Sequence, residues 1–448
     1  IIKWYLKYKD FHIAAEPKSE NKKVESNHNV IPSAEKSIAV LPFVDMSPRK
    51  DQEYFCDGIT EEIINALSHI EELKVIARTS AFVFKGKDED VRTIGNKLGV
   101  AHLLEGSIRK SNNQLRVTAQ LIKVEDGTHL WSEKFDREIK DIFNIQDEIS
   151  LAIVEKLKIK LVGLDHKFTG KHKLNNIDTY LLYLKGNYHY QQIKASELKR
   201  AIEFYEKTIE EDLSFAPAYC GIAGAYWGLT FWGNLPPNQA YPIIIEKINQ
   251  AQQIDESLDE IYYLNAVSNF SFLWNMNQAE ANFRKALEIN PNSQKNHSSY
   301  SIFLTCSGRH EEAILEAKKA AELDPLSSYY NAMIANAYNF AGKYDEAIQH
   351  CRSSSKSFPD HFFFSYFVGF ALHGQSKLEE AITAYEKALE LSGGIQLVLA
   401  NLIIACIEKG DILKADKLFR ELEALAEKTY VLPSHFYKIF RAKKENDL

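Results

Sequence analysis

Paired carboxylates are the first residues in this sequence that could do chemistry, because two neighbouring acids can divide the roles of general acid and general base. Three adjacent pairs stand out, at Glu61-Glu62, Glu311-Glu312 and Glu379-Glu380. Each pair is expected at the start of a helix, where the positive end of the helix dipole attracts negative charge. The pairs therefore need no catalytic explanation.

Other catalytic signatures are absent from the sequence. It contains no GxxxxGK[ST] phosphate loop, no HExxH zinc motif, no GxSxG elbow and no GxGxxG loop after a strand. The 14 histidines are dispersed, and none forms a HxH or Hx3H ligand pair. The five cysteines include no CxxC pair, which excludes a disulfide scaffold and a sequence-local zinc site. We therefore expect no enzymatic activity and no cofactor from the residues present.

One polar cluster, Arg78-Thr79-Ser80, is placed like a binding site. It follows the second predicted strand, and α/β proteins commonly bind ligands at the carboxyl ends of strands. The same residues are also typical of a simple turn and helix cap. Both interpretations stay open from the sequence.

Composition narrows the class of protein. The chain has 448 residues, of which 45% are hydrophobic and 26% charged, as in ordinary globular proteins of several domains. Its net charge of −7 gives no general attraction to nucleic acid or anionic lipid, so no nucleic-acid partner is expected. The sequence contains no run of 18 apolar residues, so it predicts no membrane span.

Residues 1–36 are interpreted as a juxtamembrane stub and a flexible linker. The segment 1–9 combines apolar residues, interfacial aromatics and lysines, like the end of a membrane helix, but a short amphipathic stub fits equally well. Residues 14–36 are polar and lack aromatics, which favours a flexible linker. We expect membrane attachment only through a helix upstream of Ile1, and the side of the membrane stays open.

Residues 37–161 are predicted to form an α/β domain with the order β-α-β-α-β-β-β-α. The apolar run at 38–43 predicts a buried strand, and Thr60 is a plausible N-cap for the first helix. The later expected elements are a strand at 73–77, a helix at 89–98, a hairpin of 101–110 with 114–124, a fifth strand at 128–135 and a helix from about 141 to 161.

A basic, polar linker at 162–175 precedes a repetitive, helical region. The small or apolar residues that open each second helix are Ala201, Ile244, Ala279, Ala313, Ala347, Ala381 and Ala415. Their intervals are 43, 35, 34, 34, 34 and 34, and a 34-residue period of helical pairs is the tetratricopeptide signature. We predict about seven repeats over 176–430, an insertion at 227–237 and a capping segment at 431–448. Polar linkers predict separately folded units with few contacts between them.

The first helix of each repeat should line the concave surface with positions 2, 5, 9 and 12 or 13, which share one helical stripe. In the fourth repeat these positions include Lys295 and Thr305. In the next two repeats they are Tyr329, Asn336, Asn339, Phe340, Phe363, Tyr366, Phe370 and His373. Aromatic anchors of this kind commonly bind a protein or peptide, and with Lys295 as the one cation a carboxylate-clamp ligand is not expected. The alternative is that neighbouring repeats cover these rings.

Several ordered motifs resemble the TolB amino-terminal-like domain in the form that is fused to tetratricopeptide repeats in bacterial membrane signalling proteins. They are 37–43 (SIAVLPF), 57–62 (DGITEE), 77–80 (ARTS), 99–107 (GVAHLLEGS) and 130–133 (LWSE). The resemblance implies a transmembrane helix upstream, preceded by a class III adenylate or guanylate cyclase domain or by a winged-helix DNA-binding domain. It implies no catalytic residues in the part present here.

Three functional hypotheses follow. The first is a non-catalytic interaction and sensory scaffold of a membrane-anchored bacterial signalling protein, in which the repeats bind a partner and the α/β domain couples binding to an output domain. The second is a cell-envelope assembly adaptor. The third is the non-catalytic part of a larger adenylate or guanylate cyclase. The residues upstream of Ile1 would distinguish them.

Overall fold

The computed structural model of this chain describes residues 35–50, 52–111, 114–138, 142–157, 177–192, 194–231 and 234–445. The predicted stub and most of the linker at 1–36, and the linker at 162–175, lie outside these residues. The described part contains a small mixed α/β domain followed by a long helical solenoid, as the sequence predicted.

The α/β domain contains a mixed sheet with helices on both faces. In chain order its elements are β1 (Ser37–Val40), β2 (Val44–Asp45), α1 (Glu53–Ser68), β3 (Lys74–Val75), α2 (Arg78–Phe82), α3 (Val91–Leu98), β4 (His102–Ser111), β5 (Gln114–Lys123), β6 (His129–Glu138) and α4 (Ile142–Lys156). The two-residue β2 and the five-residue α2 are additions to the predicted order.

The strand order is β3-β1-β4-β5-β6, with β2 beside β4. β1 runs parallel to β3 and β4, whereas β4, β5 and β6 form an antiparallel meander. Leu104 lies opposite Leu121 and Val117 lies opposite Phe135, so the apolar faces of the three meander strands coincide. The alternating apolar residues that predicted the hairpin are the ones that face the core.

The first helix begins earlier than predicted. α1 starts at Glu53, and Thr60 lies in its interior with its hydroxyl donating to the Cys56 carbonyl and accepting from the Phe43 N–H. Thr60 is therefore not the N-cap, because the apolar stripe begins at Phe55 and continues through Gly58. A Cβ at Gly58 would lie 2.5 Å from the Leu184 side chain, so glycine permits this close helix contact.

The solenoid consists of seven helical pairs and a final helix within the described residues. The first and second helices of the pairs are, in order, α5 (Ile177–Tyr190) and α6 (Ala195–Glu211), α7 (Ala216–Phe231) and α8 (Pro237–Ile254), α9 (Asp259–Ser268) and α10 (Met276–Ile289), α11 (Gln294–Cys306) and α12 (His310–Leu323), α13 (Ser328–Phe340) and α14 (Tyr344–Ser354), α15 (Phe362–Gly374) and α16 (Leu378–Ser392), and α17 (Gln396–Lys409) and α18 (Ile412–Ala426); α19 (Pro433–Glu445) follows.

The repeated small residues lie where helices cross. All seven anchor residues from Ala201 to Ala415 are fully buried. Large rings fill the space beside them, and Tyr205, Phe283 and Tyr385 are among the largest fully buried side chains. Alternating small and large residues let the helix backbones approach closely, which explains why the pattern recurs with the repeat.

The predicted insertion is shorter than expected, because α7 continues through Trp227 to Phe231. The third repeat departs from regular geometry instead. After α9 the chain forms a π-helical turn at Asn269–Leu273, and Trp274 adopts the left-handed conformation. No helix among the described residues is both long and apolar enough to cross a bilayer.

The α/β domain and the solenoid share one hydrophobic core. Ile59 and Ile63 of α1 belong to the same buried cluster as Tyr180 and Leu184 of α5 and Ile222 of α7. This cluster continues between the sheet and α4. The expectation of few contacts between the two units is therefore wrong, because the apolar face of α1 is covered by the first repeats.

Candidate functional site

The predicted groove residues lie on α13 and α15, which are neighbouring first helices of the solenoid. Three of the eight side chains are buried, with exposed fractions of 9% for Phe363, 6% for Tyr366 and 2% for Asn339. The Tyr329 ring packs edge-on against Phe363 at 5.8 Å between ring centroids. These buried side chains pack the repeats together in this structure, as the alternative reading expected for the rings.

Hydrogen bonds explain why the polar members are buried. Asn339 Nδ2 donates to the Phe367 carbonyl at 3.0 Å, and Tyr366 Oη accepts from Asn401 Nδ2 at 3.2 Å. Both bonds join one first helix to the next. They stabilise the repeat-to-repeat packing and leave little polar surface for a partner.

The remaining five residues, Tyr329, Asn336, Phe340, Phe370 and His373, are half-buried. The rings of Phe340 and Phe370 lie 5.4 Å apart and form an aromatic pair across the two helices. His373 Nε2 lies 2.7 Å from a Glu408 carboxylate oxygen. The candidate groove is therefore reduced to this partly exposed row, which we call the aromatic row.

Lys295 lies at the same stripe position two repeats before Phe363 but is neutralised. Its ammonium pairs with Glu260 and lies 5.2 Å from the centre of the Tyr263 ring. Burial lowers the pKa of Lys295, but the nearby Glu260 and Asp259 carboxylates outweigh this effect and raise the pKa. Thr305, the other predicted position in this repeat, is buried. Lys295 is thus committed to Glu260 and poorly placed to clamp a free carboxylate.

Thr79 and Ser80 form a joint between the domain and the solenoid, whereas Arg78 stays within the domain, over the Phe82 ring and beside Asp57 and Glu61. The buried Ser80 hydroxyl donates to Asp324 Oδ1 and accepts from the Leu326 N–H at 2.8 Å. The Ala77 N–H donates to the Leu323 carbonyl at 2.8 Å. The strand end where a ligand was considered therefore contacts the turn between α12 and α13. Burial raises the pKa of Asp324 to about 6, against the opposing effect of its hydroxyl donors.

A second joint involves Asn292, which the sequence did not single out. Asn292 lies in the turn between α10 and α11 and bonds four backbone groups of the turn between α1 and β3. Beside it, His69 Nδ1 lies 2.9 Å from the Ile289 carbonyl oxygen. Because an asparagine after proline is common in turns, no local signal could have predicted this long-range role.

The third feature is an acidic cluster formed by Glu61 and Glu62 of α1 and Glu260 of α9, whose charges influence one another. Gln191 Nε2 donates to both Glu61 carboxylate oxygens at 2.8 and 2.7 Å, and Arg78 Nε lies 3.5 Å from Glu61. Burial, together with the charges of Glu61 and Glu260, raises the pKa of Glu62 to about 8. The raised pKa favours the protonated form of Glu62 at neutral pH.

The expected position of the carboxylate pairs is confirmed for two of the three. Glu311-Glu312 and Glu379-Glu380 lie in the first turns of α12 and α16, where the helix dipole favours them. Glu61-Glu62 instead lies in the middle of α1. Within the described ranges, no three His, Cys, Asp or Glu side chains are grouped so that they could hold a metal ion.

Comparison with known families supports both parts of the fold. Residues 34–152 match the family model for the second domain of HilA/YgeH-like transcriptional regulators. Residues 262–293 and 365–394 match a tetratricopeptide-repeat model. The expected resemblance to the TolB amino-terminal domain is not confirmed by these comparisons.

Part of this chain is similar to a longer bacterial protein. The protein named "Putative adenylate cyclase 3" of Rhizobium meliloti (strain 1021) is 40% identical over 191 residues, which cover 42% of this chain and 32% of that protein. The chain thus spans about a third of this relative.

Among solved structures, a tetratricopeptide repeat protein from Parabacteroides merdae ATCC 43184 is 18% identical, with coverage of 58% of this chain and 94% of that chain and a TM-score of 0.39. PilW, a type IV pilus biogenesis factor, is 19% identical, with coverage of 48% and 92% and a TM-score of 0.36. The helical pairs, their period and the family match together show that the C-terminal part of this chain is a tetratricopeptide-repeat solenoid.

Proposed function

We propose that this chain is a non-catalytic module that binds a protein or peptide through its tetratricopeptide solenoid. The observation that carries the proposal is the partly exposed Phe340–Phe370 pair, which joins neighbouring first helices on the side that the repeat pattern assigns to the groove. Exposed aromatic rings on a preformed surface bury large apolar area at small entropic cost when a partner binds.

The α/β domain would couple partner binding to the rest of a signalling protein. The shared core and the joints at Ser80 and Asn292 support this role, because a shift of the repeats would move the sheet with them. The 40% identity with a protein named as a putative adenylate cyclase supports the wider proposal of a bacterial signalling protein. We further propose that the whole protein is membrane-anchored. In such a protein this chain would be the non-catalytic part.

A peptide-array screen with the purified chain tests the binding proposal. Peptides that bind the wild type are then titrated against a Phe340→Ala/Phe370→Ala variant, for which we expect at least ~10-fold weaker binding. Phe440→Ala is the matched control, because Phe440 is an exposed ring on α19 outside the row. Equal affinities for all three proteins would contradict the proposal.

The non-catalytic assignment has its own test. We expect no cyclic AMP or cyclic GMP when the purified chain is incubated with ATP or GTP and Mg²⁺. Cyclic nucleotide formation that disappears on substitution of Glu62 or Arg78 would contradict the assignment and would make the acidic cluster the candidate active site.

A further inference from the structure

β6 is a long strand at the edge of the sheet. It runs for ten residues, His129–Glu138, and pairs with β5 on one side only among the described residues. The opposite edge is β3, which is only two residues long. A long edge strand offers a row of free backbone N–H and C=O groups that another strand can pair with.

The charges on β6 are arranged in a simple order. Glu133, Lys134, Asp136 and Arg137 are all exposed, while Phe135 between them points into the core and is 2% exposed. Each acidic residue thus has a basic counterpart at the same distance on the other side of Phe135. Such an arrangement is complementary to itself when a second copy runs in the opposite direction.

We propose that two copies of this chain associate by pairing β6 with β6 in antiparallel orientation, about a two-fold axis at Phe135. In this register Lys134 lies opposite Asp136 of the second copy, and Glu133 lies opposite Arg137. The symmetry repeats each pair, so four cross-strand pairs of opposite charge form over residues 132–138. The two sheets become one continuous sheet.

Two-fold symmetry and charge repulsion together exclude most other registers of β6 against β6. A two-fold axis perpendicular to the sheet keeps each side chain on its own face, so one residue must lie opposite its own copy. Axes at Glu133, Lys134, Asp136 or Arg137 place two like charges directly opposite each other, which is destabilising. An axis at Ser132 or at an earlier residue of β6 forms no pair of oppositely charged Asp, Glu, Lys or Arg side chains within β6. The register at Phe135 is therefore the favoured one.

One contact within each chain extends a charge pair into a row, while Arg137 lies 3.6 Å from Glu148 of α4 in the same chain. Arg116 of β5 lies opposite Asp136 in the sheet and its guanidinium pairs with that carboxylate at 2.5 Å. In the paired assembly Asp136 would lie between Arg116 and Lys134 of the second copy, which gives a row of alternating charge. An interface formed by one strand from each copy lies at the small end of specific interfaces, so we expect a dissociation constant in the range of roughly 1–100 µM.

Sedimentation velocity of the full chain at concentrations from ~1 to ~100 µM tests the proposal. We expect a dimer whose dissociation constant rises at least ~10-fold in Glu133→Arg and in Arg137→Glu, because each change places like charges opposite each other. The double variant Glu133→Arg/Arg137→Glu restores opposite charges and should restore the dimer. Glu71→Arg, an equal charge change at an exposed loop residue, should leave the dimer unchanged.

Disulfide trapping tests the register independently. In a Lys134→Cys/Asp136→Cys variant each new thiol lies opposite its counterpart in the second copy, so oxidation should give a covalent dimer. Lys134→Cys alone should give none, because residue 134 does not face itself. A chain that stays monomeric up to ~100 µM, a dimer that Glu133→Arg does not weaken, or equal trapping of the single and double variants would overturn the proposal.

Discussion

The backbone N–H of Val75, in the sheet, donates to the side-chain oxygen of Asn292, in the solenoid, at 3.2 Å. The Nδ2 group of the same amide donates to the carbonyl oxygens of Ser68, Ile70 and Leu73 at 3.0, 3.2 and 2.9 Å. The two N–H bonds of Nδ2 are shared among three carbonyl oxygens, so one buried side chain contacts four backbone groups between the end of α1 and β3. The turn has its shape because the solenoid completes its hydrogen bonds.

Asn292→Leu should lower the free energy of unfolding by about 2–4 kcal/mol, because a side chain of similar size leaves buried backbone groups without partners. Urea unfolding followed by circular dichroism measures the change. Asn238→Leu, at an exposed position of α8, is the control and should change stability by less than ~0.5 kcal/mol. A loss equal to that of the control would show that water replaces the amide without cost.

The shared core predicts that the two units stay together when the chain between them is cut. A site for a specific protease, inserted within residues 165–173, allows one cleavage without change to the described core. The two fragments should co-elute in gel filtration, because Tyr180, Leu184 and Ile222 remain buried against α1. Separate elution of the fragments under native conditions would mean that the units are independent.

The sequence predicted most helices, strands and the repeat, because these features depend on short-range patterns of apolar and small residues. Alanines such as Ala313 and Ala347 recur every 34 residues because each is buried where two helices cross. Alternation along 114–123 likewise reports the inner face of β5. These features depend on neighbours within one or two helical turns or strands, which a pattern can capture.

Packing between the units could not be predicted in the same way. Ser80 and Asp324 are separated by 244 residues, and neither belongs to a motif that implies the other. Phe363 and Phe370 share one helical stripe, yet only Phe363 is buried, with the rings of Tyr329, Phe362 and Phe367 around it. Burial within a stripe depends on the curvature of the solenoid, and single-sequence periodicity carries no information about curvature.

Glu62 predicts a dependence of stability on pH. Its pKa is raised to about 8 in the folded chain from an ordinary value of 4.5, so the folded state holds a proton that the unfolded state releases between these values. Stability should therefore fall as the pH rises from about 4.5 to about 8. Glu62→Gln removes this titration and should reduce the loss by roughly 1–3 kcal/mol.

Thermal unfolding of both proteins between pH 5 and pH 8 measures the Glu62 effect. Glu71→Gln, a substitution of the same kind at an exposed position, is the control and should leave the dependence of stability on pH unchanged. If stability depends on pH equally in Glu62→Gln and in the wild type, other buried acids, such as Asp259 and Asp324, cause the pH dependence.

The two rings of the α15 stripe should respond differently to removal. Phe363 is 9% exposed and contacts Tyr329, Phe362 and Phe367, so Phe363→Ala should cost about 3–4 kcal/mol of folding stability. Phe370 is half-buried with Phe340 as its ring partner, so Phe370→Ala should cost only about 1–2 kcal/mol. Chemical denaturation of each variant beside Phe440→Ala measures the difference. If Phe370→Ala lowers folding stability as much as Phe363→Ala, the aromatic row is core and cannot serve as the binding surface. If the loss of stability is small and peptides from the array screen still bind the Phe340→Ala/Phe370→Ala variant more weakly, the row is the surface that they contact.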